Sequence, residues 1–345
     1  MTATKVLTET EQFEVPKRGM PVTIITGFLG SGKTTLLNYI LQNCQDLKVA
    51  VLVNEFGDID IDSQLLVSID EDMMQLSNGC ICCTINDGLV DAVYSILERE
   101  ERIDHLVVET TGVADPLPIA MTFLSQELRK LTRLDSILTV VDSEEFNAEN
   151  FGSKAALNQI IYGDIILLNK TDLVSQEKLN ELEDYINTVK EGARILRTLQ
   201  AQVPLPFILD VELSKLDSQT PSEKDSQHHH HAHDHHHDHD EHEHHYHSDH
   251  LANDGFVSVS FQSDRPFRIE KFQTFLMEKM SLDVFRAKGI LWFKESPLCH
   301  IFQLSGKRYD LNTEQWLDPP RNKLVLIGRN LHADELREQL TSCLE

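Results

Sequence analysis

The sequence predicts an α/β fold with a mostly parallel, doubly wound sheet, followed by a smaller α+β domain at the carboxyl-terminal end. Three observations carry this reading. Short runs rich in Val and Ile recur between segments of helical character, a glycine-rich turn follows the first of them, and a histidine-dominated tract breaks the pattern after Asp210. The runs are PVTIIT from 21, KVAVLVNEF from 48, DHLVVET from 104, LDSILTVVD from 134, DIILLNK from 164 and ARILRT from 193. They lack strict apolar/polar alternation, as expected of strands buried on both faces of a parallel sheet. Between them, NDGLVDAVYSILERE sets Leu89, Val90, Val93, Ile96 and Leu97 on one side of a helix, with Asn86 or Asp87 as its expected N-cap. Strands alternating with such helices give the doubly wound arrangement.

The first run leads directly into GFLGSGKTT, where Gly27, Gly32, Lys33 and Thr34 occupy every fixed position of the phosphate-binding pattern G-x-x-x-x-G-K-[ST]. The chemistry asks for these types. Glycines, Gly30 included, let backbone N–H groups curl around phosphates, with Ser31 and Thr35 adding hydroxyls. Lys33 brings a point charge to the β and γ groups, and the Thr34 hydroxyl can ligate Mg²⁺ at a helix N-terminus. With a strand before it and the helical LLNYILQN after it, the motif predicts a P-loop NTPase.

Two further strand ends complete the nucleotide reading. The run DIILL ends in NKTD, Asn169, Lys170, Thr171 and Asp172. A carboxylate at Asp172 accepts two hydrogen bonds from the ring N–H and amino group of guanine. Adenine would leave it unpaired, at about 1 to 3 kcal/mol, so GTP is expected over ATP. The run DHLVV ends in ETTG, where Glu109 can join the Mg²⁺ shell or reach the attacking water and Gly112 lends freedom near the γ-phosphate. Lys33, Thr34 and Glu109 are the expected catalytic set. Glu55 and Asp58 of NEFGD are weaker candidates for positioning water, and no catalytic base stands out.

Between the second run and the one ending in Glu109 lies GCICCTIN, with Cys80, Cys82 and Cys83. An extended chain would split these thiols between two faces; a bend at Asn78-Gly79 allows them to converge. A following helix N-terminus favours thiolate. Three soft ligands without a fourth suggest an open tetrahedral site, suited to exchange of zinc or cuprous copper, with Co²⁺, Ni²⁺ and iron left open. Cys44 and Cys343, alone on helical segments, read as buried small hydrophobes.

The tract from Gln227 to His250 holds every one of the 17 histidines except His105, His300 and His332. Interleaved with Asp and Glu, it cannot form a packed core and reads as a collector of transition-metal ions through many weak sites. As a flexible coil, residues 212 to 253 would span roughly 35 Å, enough to reach the thiol segment. Order is expected to resume at DGFVSVSFQ, then a helix near IEKFQTFLMEKM, strands at GILWF, HIFQLSG and KLVLIG, and a last helix, ADELREQLTSCL. Cys299-His300, Trp292 and Phe293 read as packing residues. The expected divisions are a tail (1–19), the nucleotide domain (20–211), the linker (212–253) and the second domain (254–345).

At 345 residues the chain is long enough for roughly two domains. Its 41% hydrophobic content is ordinary for a folded protein, and its net charge of -25 disfavours a nucleic-acid or anionic-membrane surface. Six cysteines in no framework spacing, with no apolar leader or spanning run, give an expectation of reduced thiols in the cytoplasm. Homo-oligomerisation stays open.

In order along the chain, GFLGSGKTT, VNEFGDIDID, SNGCICCTIN, ETTGVADPLP, VVDSEEF, ILLNKTDLV and RAKGILW resemble the CobW-like P-loop GTPases, the family of zinc-regulated metalloprotein activators. The resemblance covers nearly the whole chain. It implies GTP hydrolysis, a transferable metal on Cys80, Cys82 and Cys83, and a client metalloprotein that receives the ion. The alternatives are a metal-storage protein built on the histidine tract and a cobalt or nickel insertase of related architecture.

Overall fold

The computed structural model describes residues 19–44, 47–54, 74–76, 85–99, 103–146, 153–210 and 256–345. Seven strands form the first sheet: β1 (Met20–Gly27), β2 (Val49–Asn54), β3 (Met74–Leu76), β4 (His105–Glu109), β5 (Thr132–Asp142), β6 (Ile165–Asn169) and β7 (Arg194–Arg197). Their order is β3-β2-β4-β1-β5-β6-β7, and every pairing is parallel. The six apolar runs are all present as strands. The seventh, β3, is a three-residue edge strand, MQL, too short to register as a periodic pattern.

Helices α1 (Lys33–Asn43), α2 (Ile85–Leu97), α3 (Pro116–Phe123), α4 (Lys154–Tyr162) and α5 (Gln176–Val189) lie between these strands, and the one-turn α6 (Leu205–Ile208) follows β7. Helix α2 starts at Ile85, so Asn86 and Asp87 lie within it rather than capping it. Elsewhere the caps follow local chemistry. Asp115 accepts from the Leu117 N–H with Pro116 in the first turn, and Ser153 and Ser175 cap α4 and α5. Strand alternation sorts the core between the two faces. Val140, Ile165 and Leu167 pack with Leu36, Leu37 and Ile40 of α1 on one face. Their neighbours Val141, Ile166 and Leu168 pack with Ile160 of α4 and Leu182 of α5 on the other.

The second sheet is antiparallel, with β8 (Phe256–Ser263), β9 (Val284–Trp292), β10 (Cys299–Ser305), β11 (Arg308–Glu314) and β12 (Asn322–Arg329) in the order β11-β10-β9-β12-β8. Strand β11, RYDLNTE, is an exposed polar edge strand and so carries no apolar run to read. Helix α7 (Ile269–Thr274) runs into a π-helical turn, Phe275–Lys279, where one continuous helix was expected, and α8 (Ala333–Ser342) closes the chain. Phe267, Phe272, Phe275, Phe293 and Phe302 fill the core. Cys299 and His300 are buried, the ring of His300 lying edge-on to Phe293. Cys44 and Cys343 are buried too, while Trp292 is half-buried.

The two sheets meet at the amino-terminal ends of the parallel strands. Arg286 of β9 forks onto both oxygens of Asp135 in β5. Arg133 and Lys288 both reach Asp210, at 2.5 and 2.9 Å. Arg308 of β11 pairs with Asp164 and donates to the carbonyls of Leu134 and Asp135. Beside this network Phe285, Val325 and Ile327 join the core of the first sheet. No helix among the described residues is long and apolar enough to cross a membrane.

Candidate functional site

The carboxyl-terminal ends of β1, β4, β5 and β6 bring the nucleotide motifs together. Strand β1 ends at Gly27, and the turn through Gly32 delivers the chain into α1. Two glycines here are required rather than merely permitted. Gly27 (φ 143°) lies so close to β5 that a Cβ would sit 2.1 Å from the Val140 carbonyl oxygen. Gly32 (φ 106°) is pressed against Asn169, whose Nδ2 would be 2.4 Å from an added Cβ. Both φ values fall in the region that L side chains avoid. Gly30 is left-handed as well, but faces open space.

Lys33 is nearly buried, with Nζ donating to the Phe28 carbonyl at 3.2 Å, so the ammonium is curled back over its own loop. Thr34 donates its hydroxyl to Glu109 Oε1 at 3.0 Å. That contact joins the loop to the end of β4, and the Glu109 side chain is buried. Ser31 is fully buried within the loop, and Thr35 is exposed. The ETTG turn fits the loop differently from expectation. Gly112 has no left-handed backbone; a Cβ there would come within 2.6 Å of the Leu29 nitrogen, so the glycine gives space rather than freedom.

Asn169, at the end of β6, ties three segments together. Its Nδ2 donates to the Ser31 carbonyl at 2.9 Å, and its Oδ1 accepts from the Ala201 N–H at 2.8 Å and the Thr198 hydroxyl at 3.3 Å. The sequence reading missed the Thr198–Ala201 partner. Gln200 and Ala201 take left-handed φ values of 51° and 55° without a Gly or Asn to announce a turn. Lys170 is left-handed too (φ 59°) and pairs with Asp142 at 2.5 Å. Asp172 lies exposed on the short turn Thr171–Leu173. Gln159 of α4 was likewise unmarked: its amide donates to the Gly112 and Ala114 carbonyls and braces the turn after Glu109.

The donor set suits a magnesium nucleotide. Thr34 and Glu109 offer hard oxygen ligands side by side. The buried hydroxyls of Ser31 and Thr111 find no hydrogen-bond partner among the described residues, which is expected where a ligand supplies the partner. Cys80, Cys82, Cys83, Glu55, Asp58 and the histidine tract lie outside the described residues. Among the described residues, no group of three or more His, Cys, Asp or Glu side chains could hold a metal ion.

Two family models match the chain. The family model described as CobW/HypB/UreG, nucleotide-binding domain, matches residues 21–197. That of the cobalamin synthesis protein cobW C-terminal domain matches residues 256–344. A protein of Dictyostelium discoideum named zinc-regulated GTPase metalloprotein activator 1 is 31% identical, over 94% of this chain and 80% of its own length. The zinc chaperone YjiA of Escherichia coli is 32% identical, over 92% of this chain and 96% of its own. A solved structure titled as the Zn(II)-bound YjiA GTPase from E. coli aligns over 95% of this chain and all of that one, with 25% identity and a TM-score of 0.45.

Proposed function

The chain belongs to the CobW/HypB/UreG family, and from that premise we propose that it is a GTP-hydrolysing metallochaperone delivering zinc, or a similar transition metal, to a client metalloprotein. The observation that carries the hydrolase part is the contact of Thr34 with Glu109 at 3.0 Å, set beside a loop whose Gly30 faces open space. In this reading Gly27, Gly30, Ser31, Gly32 and Thr35 line the phosphates with N–H and hydroxyl groups. Lys33 turns from the Phe28 carbonyl to the β and γ phosphates. Thr34 and Glu109 hold Mg²⁺, which when bound neutralises charge on the phosphate oxygens. Asn169 holds the phosphate loop against the base-side loop, Lys170 flanks the base, and Asp172 accepts the guanine N–H groups. The charge developing toward the leaving oxygens then meets preorganised donors, and hydrolysis is faster for that reason.

The metal-handling part rests on the sequence and is supported by the names of the relatives. Cys80, Cys82 and Cys83 would take zinc as cargo, with the fourth position left to an exchangeable ligand. Domain limits of 20–211 and 254–345, with the histidine-rich linker between, are consistent with sheets that span Met20–Arg197 and Phe256–Arg329.

GTP turnover and zinc affinity are measured together on the full chain. If nucleotide state sets zinc affinity, zinc must change nucleotide affinity by the same factor. The reading expects turnover of GTP above ATP, and a loss of zinc affinity in Cys82→Ser. Zinc affinities that are equal with GTP, with GDP and without nucleotide would remove the coupling, and unchanged zinc binding in C82S would remove the site.

A further inference from the structure

Asp142, the last residue of β5, is not accounted for by the phosphate loop or by the guanine motif, yet it is buried at the edge of both. Its two carboxylate oxygens have separate tasks. Oδ1 accepts from the backbone N–H groups of Glu144 and Glu145 at 3.0 and 3.2 Å, which locks the carboxylate onto the turn that follows β5. Oδ2 is thereby aimed at Lys170 Nζ, 2.5 Å away. The backbone repeats the juxtaposition. Asp142 stands opposite Asn169 in the β5–β6 register, and the Ser143 N–H donates to the Asn169 carbonyl at 3.0 Å.

Lys170 needs such a partner. It holds a left-handed backbone (φ 59°, ψ 38°) without being glycine or asparagine. Its four-carbon stem has many rotamers, and its side chain is about one-third exposed. An unpaired lysine here would be an unordered neighbour for the base, and its ordering would count against binding.

We propose that Asp142 is a positioning residue for guanine-nucleotide binding, holding the Lys170 ammonium so that the lysine stem is already placed when the base arrives. The proposal rests on the reading of Asn169, Lys170 and Asp172 as a guanine site and adds a residue to it. It also gives the pair a direction: the Lys170 charge is neutralised at β5 rather than offered to the phosphates, which fall to Lys33.

The test is GDP binding by calorimetry to the full chain, with ADP as control, for wild type, Asp142→Asn, Lys170→Met and the double variant. D142N keeps an acceptor for the Glu144 and Glu145 N–H groups, so its melting temperature should stay near that of wild type. Its GDP affinity should fall about tenfold, or about 1.4 kcal/mol. In steady state KM for GTP should rise with kcat held. The double variant should bind no more weakly than K170M, because both remove the same contact. Asp142→Ser, which retains a hydroxyl acceptor for the turn, is read in the same way if D142N does not fold. Unchanged GDP affinity in D142N overturns the proposal. So does a D142N loss that persists in full on the K170M background, which would place the effect in the turn alone. K170M binding GDP as wild type does overturns it whether or not any Asp142 variant folds. If wild type binds ADP as well as GDP, the guanine reading itself fails, an outcome separate from these.

Discussion

The two edges of the parallel sheet are built on opposite rules. At the amino-terminal edge, Asp135, Asp164 and Asp210 are each paired with guanidinium or ammonium groups, and the partners come largely from the second sheet. At the carboxyl-terminal edge, glycines keep side chains away, and the hydroxyls of Ser31 and Thr111 are buried without a partner among the described residues. One edge has its buried carboxylates matched by cations, and the other leaves hydroxyls that a ligand would satisfy. The lesson is that domain cohesion and the proposed nucleotide site occupy different ends of the same strands, so substitutions at the two ends should separate stability from turnover.

The largest expected effect is at the cohesive edge. Arg286→Met leaves the buried Asp135 carboxylate short of its main partner and should cost about 3 to 5 kcal/mol of stability, read by urea unfolding. A loss of nucleotide affinity with unfolding unchanged would break the comparison. Next, Lys33→Ala at the other edge should lower GTP turnover by roughly 10² to 10³, or about 3 to 4 kcal/mol of barrier. Its melting temperature should move little, and a large thermal shift would merge the two edges into one.

A titration sharpens the contrast. His105, at the start of β4, is fully buried and bonds Thr23 Oγ1 at 2.9 Å. Burial, only partly offset by the charges of Asp135 and Asp210, pushes its pKa down from 6.5 to about 4. The folded state therefore resists a proton that the unfolded chain accepts. The stability contributed is fully present above pH 6.5 and is lost as pH falls toward 4, by about 3 kcal/mol in all. His105→Asn should flatten that part of the unfolding profile. Asp210 continues the trend at lower pH. Burial alone would raise its pKa, but Arg133, Lys288 and Arg286 more than offset this and hold it below the usual carboxylate range. The smallest effect belongs to neither edge. Arg268 and Glu295 pair at 3.1 Å while 45% and 38% exposed, so Glu295→Gln should change stability by less than about 0.5 kcal/mol.

Much of this architecture was legible in the residues, for physical reasons that also explain the gaps. Buried parallel strands must be apolar along their length, so β1, β2, β4, β5, β6 and β7 stand out, whereas β3 is too short and β11 too polar. Gly27, Gly32, Lys33 and Thr34 could be picked out because phosphate chemistry restricts residue type at fixed spacing, and Glu109 and Asn169 because they end apolar strands in ETTG and NKTD; the structure brings all six to one sheet edge. What holds them was not legible. Asp142, Gln159 and the Thr198–Ala201 turn act through contacts 28 to 47 residues away in sequence, which obey no spacing rule. The Gly112 role was read as freedom because sequence reveals the missing side chain but not the backbone of Leu29 that fills its place.

Strand β5 runs from Thr132 to Asp142, and its two aspartates stand at the two edges, Asp135 in the interdomain network and Asp142 beside Lys170. Seven residues of extended chain separate them, roughly 23 Å. At an effective dielectric of about 20 their direct Coulomb energy is below roughly 1 kcal/mol. A field from one end therefore does little at the other. Held along its length by pairing with β1 and β6, the strand keeps the two carboxylates apart, so charge substitutions at its two ends should act on the protein independently.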